Sequence, residues 1–415
     1  MKAEGKSLQQ QIDEADLYDT IEIAAGKYKE NITIDKPVHL LGSEDVEITS
    51  KRDAPVITVV SDKVVLENMQ VTHDVADTDI PAVSVESDAN ELKQLNIHSK
   101  NVGIELNEAH ENQLSSLQII GDENVLIKER QHGIELQKAH ENEIHDARVK
   151  HVKDGVYIEN SKETYLHHNR FTNSRYGTHL MFAENSKLEK NEAYDNVSGL
   201  YIMGTNGTEV TNNTLINNRK SVQSMGLFLF DSVNATVKDN NLTKNRIGML
   251  VESATDNEIA HNHIQGNYTG VQLKKSEENT VKHNTFVANV AQGEAKESAS
   301  NTTNENYWGD HRGLDITGDG LSNIPYKVDP FFLNMTEEFP PFQLLFQAPG
   351  MMFLDQLIAA PPEEQLVDEA PLMETPDKPL NSSEKKAIFV VLSCLILMFI
   401  SVSIIYMGVR TNEKI

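Results

Sequence analysis

The chain has 415 residues, 39% of them apolar but only 6% aromatic, and it carries 37 Lys and Arg against 63 Asp and Glu, a formal charge of −26. So acidic a chain repels phosphate backbones, which excludes nucleic acid as a partner. The only cysteine, Cys394, rules out a disulfide framework and any CxxC zinc or redox site.

At the N-terminus, SLQQQIDEAD (7–16) reads as a short capping helix, with Ser7 as N-cap and Leu8, Ile12 and Ala15 on one face. The preceding MKAEGK contains no apolar core, so no signal peptide is visible. Short alternating segments follow: TIEI (20–23), ITI (32–34), VEI (46–48), VITVV (56–60) and VSV (83–85). From residue 103 the chain repeats. A glycine followed by alternating apolar residues recurs at Gly103, Gly133, Gly155, Gly177, Gly199, Gly226, Gly248 and Gly270, most often 22 residues apart. Fourteen residues after the glycine stands Asn at 169, 191, 213, 240, 262 and 284; nineteen after it stands Asn at 196, 218, 245, 267 and 289. Period-2 apolar pairs between Gly and Asn corners are strands, and three strands per 22 residues predict one turn of a parallel β-helix. Stacked turns lie about 4.8 Å apart, so the asparagines form ladders at corners where Asn tolerates left-handed geometry. The expected fold is all-β: a right-handed parallel β-helix of about 13 turns over 19–305, capped by 1–18 and 306–336. The longer units predict loops near 120–130 and 218–225.

Counting from each glycine assigns side chains to faces. Positions one and three are apolar and point inward. Positions two and four point out and include Tyr157, His179, Met181, Tyr201, Met203, Phe228, Phe230 and Leu250, an apolar stripe of interaction-site size. It is covered either by a partner or by this chain's own tail. His179, Met181 and Met203 bring an imidazole and two thioethers together, the soft set that selects Cu(I). His145 with His167, and His168, His261 and His283, also share columns, where solvated ladders are the commoner arrangement. His110 and His140 repeat within AHEN, a turn feature. Glu105 and Glu135 are the best carboxylate pair for sugar chemistry.

After the last repeat, Asp315, Thr317 and Asp319 alternate before Gly320 like the first half of a calcium loop, with a hydrogen-bonded turn as the simpler reading. Trp308, Tyr307, Pro325, Tyr326 and Phe331 supply a plug for the open end. Residues 337–386 mix Phe, Met and Leu with Pro and acids in no period, which predicts a linker that is either a disordered stalk or an extended strip that orders on a partner. The clusters FPPFQLLF and MMFLDQLI favour the partner, through Phe342, Leu344, Phe346, Met351, Met352 and Phe353. Residues 387–409 carry no charge and span roughly 34 Å as a helix, enough to cross a bilayer, leaving 410–415 as a short tail. Lys385 and Lys386 on one side and Arg410 and Lys414 on the other give no orientation.

The 22-residue repeats, the closing NYWGDHRGLDITGDGLSNIPY, the tail FQLLFQAPG…PPEEQLVDEAPLM and the terminal apolar span together resemble the NosD family. The resemblance implies an extracytoplasmic, membrane-anchored, non-enzymatic accessory protein for maturation of the copper centres of nitrous-oxide reductase. It implies as partners the ATPase and permease subunits of an ABC transporter, a copper-chaperone lipoprotein and the reductase itself, with the segment after the β-helix reaching the transporter. A polysaccharide-active or carbohydrate-binding β-helix and a passive surface adhesin are the alternatives, separated by glycan-release assays and by copper-enzyme activity in a deletion strain.

Overall fold

The computed structural model describes residues 6–43, 45–50, 54–75, 80–298, 300–328, 339, 341 and 366–376. The chain divides into two units, Met1–Glu374 and Thr375–Ile415. The expected span at 387–409 lies outside the described residues, among which no helix is long and apolar enough to cross a membrane.

The first unit is a parallel β-solenoid of about 13 turns with about 22 residues per turn. Each regular turn contributes three strands, as in Tyr176–Met181, Lys187–Glu189 and Glu192–Tyr194. The first strand of each turn joins a twelve-stranded parallel sheet among the described residues. The second and third strands form two further columns, fused at one end because Val65–His73 and Glu91–Ser99 run through both. Turns are in register, so Tyr157, His179, Tyr201 and Phe228 stand opposite one another on successive strands. The core is the stack of inward positions: Leu180, Ile202, Leu166, Leu188, Phe171 and their column-mates are fully buried. The loops fall where the long repeats place them, with a 3-10 turn at Ile127–Glu129 and a strand-free stretch between Thr214–Ile216 and Met225–Phe230.

The glycine of each turn is required by space, because none of these eight has a positive φ. A Cβ at Gly155 would lie 2.4 Å from the Gly177 carbonyl oxygen, and one at Gly177 would lie 2.7 Å from that of Gly199. The asparagine ladders exist, but with a different backbone from the expected one. The left-handed residue is the one before each ladder asparagine (His168, Lys190, Asn212, Asp239, His261 and His283), and the asparagine itself turns inward and is buried. Asn191 Nδ2 donates to Leu166 O at 2.9 Å and to Asn213 Oδ1 at 3.1 Å, so each amide satisfies one backbone carbonyl and the next amide. A third ladder, unread in the sequence, links Asn90 to Asn112 and Asn257 to Asn279 to Asn301.

Both ends are closed. Helix Leu8–Glu14 caps the N-terminal turn with Ser7 in a capping box and Leu8 and Ile12 buried. At the other end Trp308 stacks between Phe286 (4.3 Å) and Tyr326 (4.7 Å). Residues 366–376, expected within the extended linker, instead return to this end. Leu366–Asp368 pairs antiparallel with Tyr326–Val328, and Asp368 is fully buried. Its carboxylate accepts from Asn306 N (2.9 Å), Asn306 Nδ2 (3.1 Å) and Trp308 Nε1 (3.0 Å). It thereby occupies the place of the next ladder asparagine.

Candidate functional site

The outer face of the twelve-stranded sheet carries the expected stripe, and two features of its geometry differ from a simple alternation. Strand pairs run Asp154↔Tyr176 and Val156↔Thr178, skipping the glycines between them. The glycine turns in and resets the alternation, so the residue before it also faces out. Asp154 and Tyr176 thus join Tyr157, His179 and Tyr201 on one surface, to which Arg175 adds its guanidinium.

The aromatic stripe packs against itself. Tyr201 stacks on Tyr176 at 4.1 Å and leans on Phe228 at 4.7 Å, while Met225, Phe228 and Leu250 form a buried cluster of their own. With turns about 4.8 Å apart, neighbouring rings are close enough to desolvate one another. The expected broad open patch therefore shrinks to the fourth position and the corner beyond it: half-buried Met181, Met203 and Phe230, and Phe182, which is 55% exposed.

Toward the N-terminal end the same face becomes ionic. Asp154, fully buried, receives Arg175 Nε (2.8 Å) and a second guanidinium nitrogen (2.6 Å), and faces His179 Nδ1 at 3.1 Å and His132 Nδ1 at 3.4 Å. Burial opposes ionisation of Asp154, but the bonds from Arg175 and His179 outweigh it and lower its pKa to about 2. Burial also lowers His132 to about 4, against the pull of Asp154, and keeps its ring neutral. His132 stacks on Tyr157 at 4.6 Å. The Tyr157 hydroxyl lies within reach of Glu159 Oε2 (3.0 Å) and Met181 Sδ (3.3 Å), and burial raises its pKa. One turn earlier Glu135 stands opposite Tyr157 and Glu105 opposite Glu135; burial and then the Glu135 charge raise the pKa of Glu105.

His179 and Met181 lie two apart on one strand, and Met203 registers with Met181. The imidazole does not face the thioethers freely, because Nδ1 is turned onto Asp154. Its Nε2 is buried without a hydrogen-bond partner among the described residues and is the ring nitrogen left to a soft ion. The Arg175 guanidinium on the same carboxylate opposes a resident cation there. In the loop at 315–320, Asp315 Oδ1 accepts from Gly318 N (2.6 Å) and Oδ2 from Gly320 N (2.9 Å), the geometry of a hydrogen-bonded turn. A calcium ion would have to displace both donors. Asp319 Oδ1 accepts from Leu321 N at 3.0 Å, and Thr317 donates to Asp315 at 3.4 Å.

The histidine columns stack as ladders: His145 on His167 at 4.9 Å, His261 on His283 at 5.0 Å. Among the described residues no group of three His, Cys, Asp or Glu side chains is arranged to hold a metal. His110 and His140 act as turn residues, each accepting a backbone N–H from the following turn. Phe342, Leu344, Phe346, Met351, Met352 and Phe353 lie outside the described residues. Sequence counting missed His132, Asp154, Arg175 and Tyr176, whose signal is the bulge at the glycine, and Phe182, whose signal is an aromatic residue in a column of polar corners.

Residues 115–318 match the family model described as periplasmic copper-binding protein (NosD), and residues 44–183 match the right-handed β-helix region model. No curated protein matches the chain. Among solved structures, tailspike protein 3 of bacteriophage CBA120 aligns with a TM-score of 0.57 at 10% identity, covering 74% of this chain and 56% of that one. The chain thus spans little more than half the tailspike. A mannuronic acid-specific polysaccharide family 6 lyase from human gut microbiota aligns with a TM-score of 0.53 at 10% identity, covering 72% of this chain and 84% of that one. At such identities the likeness is one of fold.

Proposed function

Because the chain is a NosD-like right-handed β-helix protein, we propose that it is a non-enzymatic accessory protein for maturation of the copper centres of nitrous-oxide reductase. In this reading it sits outside the cytoplasm, held by 387–409, and docks an ABC transporter, a copper-carrying lipoprotein and the apo-reductase. Copper is cargo, and Met181, Met203 and His179 Nε2 are the soft donors it would meet on this face. The observation that supports docking over chemistry is the character of the outer face. Its most buried acid, Asp154, is already closed by Arg175 and His179, while its open corner is apolar. The test is a deletion strain: the reductase should accumulate without its copper absorption bands and without N2O reduction, and the full-length gene should restore both. Normal copper loading in the deletion strain would overturn the proposal.

One observation favours a second reading, a carbohydrate-active or carbohydrate-binding β-helix. Glu105, whose pKa is raised by burial, registers opposite Glu135 one turn away. A turn spacing of about 4.8 Å approaches the separation of about 5 Å used by retaining glycosidases. Reducing-end release from a panel of acidic and neutral glycans, lost in Glu105→Gln, would support it; no release from the panel would count against it.

A further inference from the structure

Phe182 occupies a position that every other turn gives to a polar residue or glycine. Its column, five after the repeat glycine (or after Gln292, which takes the glycine's place in the last turn), reads Glu108, Lys138, Asn160, Phe182, Gly204, Asp231, Ser253, Lys275 and Glu297. All of these have positive φ, and Phe182 has φ +51, a left-handed conformation that is costly for a bulky side chain, on the order of 1 kcal/mol. The ring is 55% exposed, so burial in the core does not offset that cost. The next turn makes room for it: a Cβ at Gly204 would lie 2.7 Å from Phe182 Cδ1, so the ring rests over a residue that must lack a side chain. Beside it Met181 registers with Met203 and Met203 with Phe230, all half-buried. Two thioethers and two rings form an adaptable apolar seat. The flanking charges are mostly negative. Glu184 is paired with Lys162 (2.9 Å) and Glu252 with Lys274 (2.9 Å), while Glu159 and Asp231 have no ion-pair partner among the described residues. The chain as a whole carries −26.

We propose that the corner formed by Met181, Phe182, Met203 and Phe230 seats a cationic segment of a partner protein, anchored by apolar side chains and flanked by Lys or Arg. This names the chemistry of the partner surface and rests on the docking reading above. The negative rim and net charge repel anionic lipid, so a membrane surface is the wrong occupant.

The test uses the full chain in neutral detergent micelles, 13C-labelled at its methionine methyls, titrated with a sixteen-residue Leu/Lys amphipathic peptide and its Leu/Glu counterpart. The Leu/Lys peptide should shift the Met181 and Met203 resonances and the Leu/Glu peptide should not. Phe182→Asn keeps the charge and suits the left-handed backbone, so it should fold at least as stably; it should weaken Leu/Lys binding about 10-fold or more, the size of a hot-spot loss. Phe230→Ser is the second variant, expected to weaken binding in the same direction. Equal binding of both peptides, unchanged affinity in Phe182→Asn and Phe230→Ser, or tighter binding to phosphatidylglycerol vesicles than to the Leu/Lys peptide would overturn the proposal. Copper loading of the reductase separates the two readings. If Phe182→Asn loses peptide binding while the deletion strain loads copper normally, the corner stands as a cationic seat and the maturation role fails. If the variant binds unchanged while the deletion strain still lacks copper, the maturation role stands and the seat fails.

Discussion

Replacing Asp368 with Ala should detach the C-terminal cap. The carboxylate is fully buried and accepts from three buried donors, Asn306 N at 2.9 Å, Asn306 Nδ2 at 3.1 Å and Trp308 Nε1 at 3.0 Å, besides the part-buried amides of Glu305 and Ala370. A buried donor left without a partner costs about 1–3 kcal/mol. Some water would enter the alanine cavity, which places the expected loss near the lower end for three donors, about 3–5 kcal/mol. Because a solenoid opens from its ends turn by turn, the loss should appear locally before it appears in a global melt. Hydrogen exchange resolved over 302–308 and 366–372 is therefore the assay. Protection there should fall by about two to three and a half orders of magnitude, since each 1.4 kcal/mol is tenfold, while turns around 155–215 stay unchanged. Asp368→Asn preserves a ladder oxygen and should cost about 1–2 kcal/mol. Exchange in the alanine variant within tenfold of the wild type, or an asparagine variant as damaged as alanine, would refute the ladder-terminus account.

Acidification should destabilise the outer face through His132. Its folded pKa of about 4 lies below the ordinary 6.5, so the unfolded chain binds a proton that the folded chain refuses; the contribution is complete above about pH 6.5 and is lost toward pH 4, with a ceiling of about 3 kcal/mol. The contribution of Asp154, whose pKa is lowered to about 2, persists through that window because it is lost only as pH falls below about 3.8. Urea midpoints measured between pH 7.5 and 4.5 should fall in the wild type and flatten in His132→Gln. Arg175→Gln leaves the buried Asp154 carboxylate without its permanently charged partner, with only His179 and His132 facing it, and should cost about 3 kcal/mol, with Asp154→Leu/Arg175→Leu recovering most of it in the same denaturation assay. Asn213→Leu removes the amide that donates to Leu188 O and Asn240 Oδ1 and accepts from Asn191; a loss of about 3 kcal/mol in urea melts is expected, and a neutral result would count against the ladder as a source of stability.

Phase was the legible part of this molecule. A count from each glycine places Leu180 and Ile202 inside and Met181 and Met203 on the outer surface, and the coordinates agree. The count fails one residue before the glycine, because the bulge there reverses the sense of the alternation, and so it missed Asp154 and Tyr176, and with them the neighbouring Arg175. It also overstated how open the stripe is: Tyr201 is held between Tyr176 and Phe228, so replacing it with Ser together with Met181 and Met203 disturbs packing as well as docking. Asp368 was illegible for a different reason. It lies 60 residues beyond Trp308, in a stretch with no repeat, and nothing local marks an acid destined to impersonate an asparagine.

A column of amides that each lean on the next has a direction, and a direction implies a last member looking for an acceptor. A second rod could in principle supply it, and identical molecules joined end to end in that way would grow into a fibre. With Asp368 already in that slot, polymerisation through this end is blocked by the chain's own returning strand.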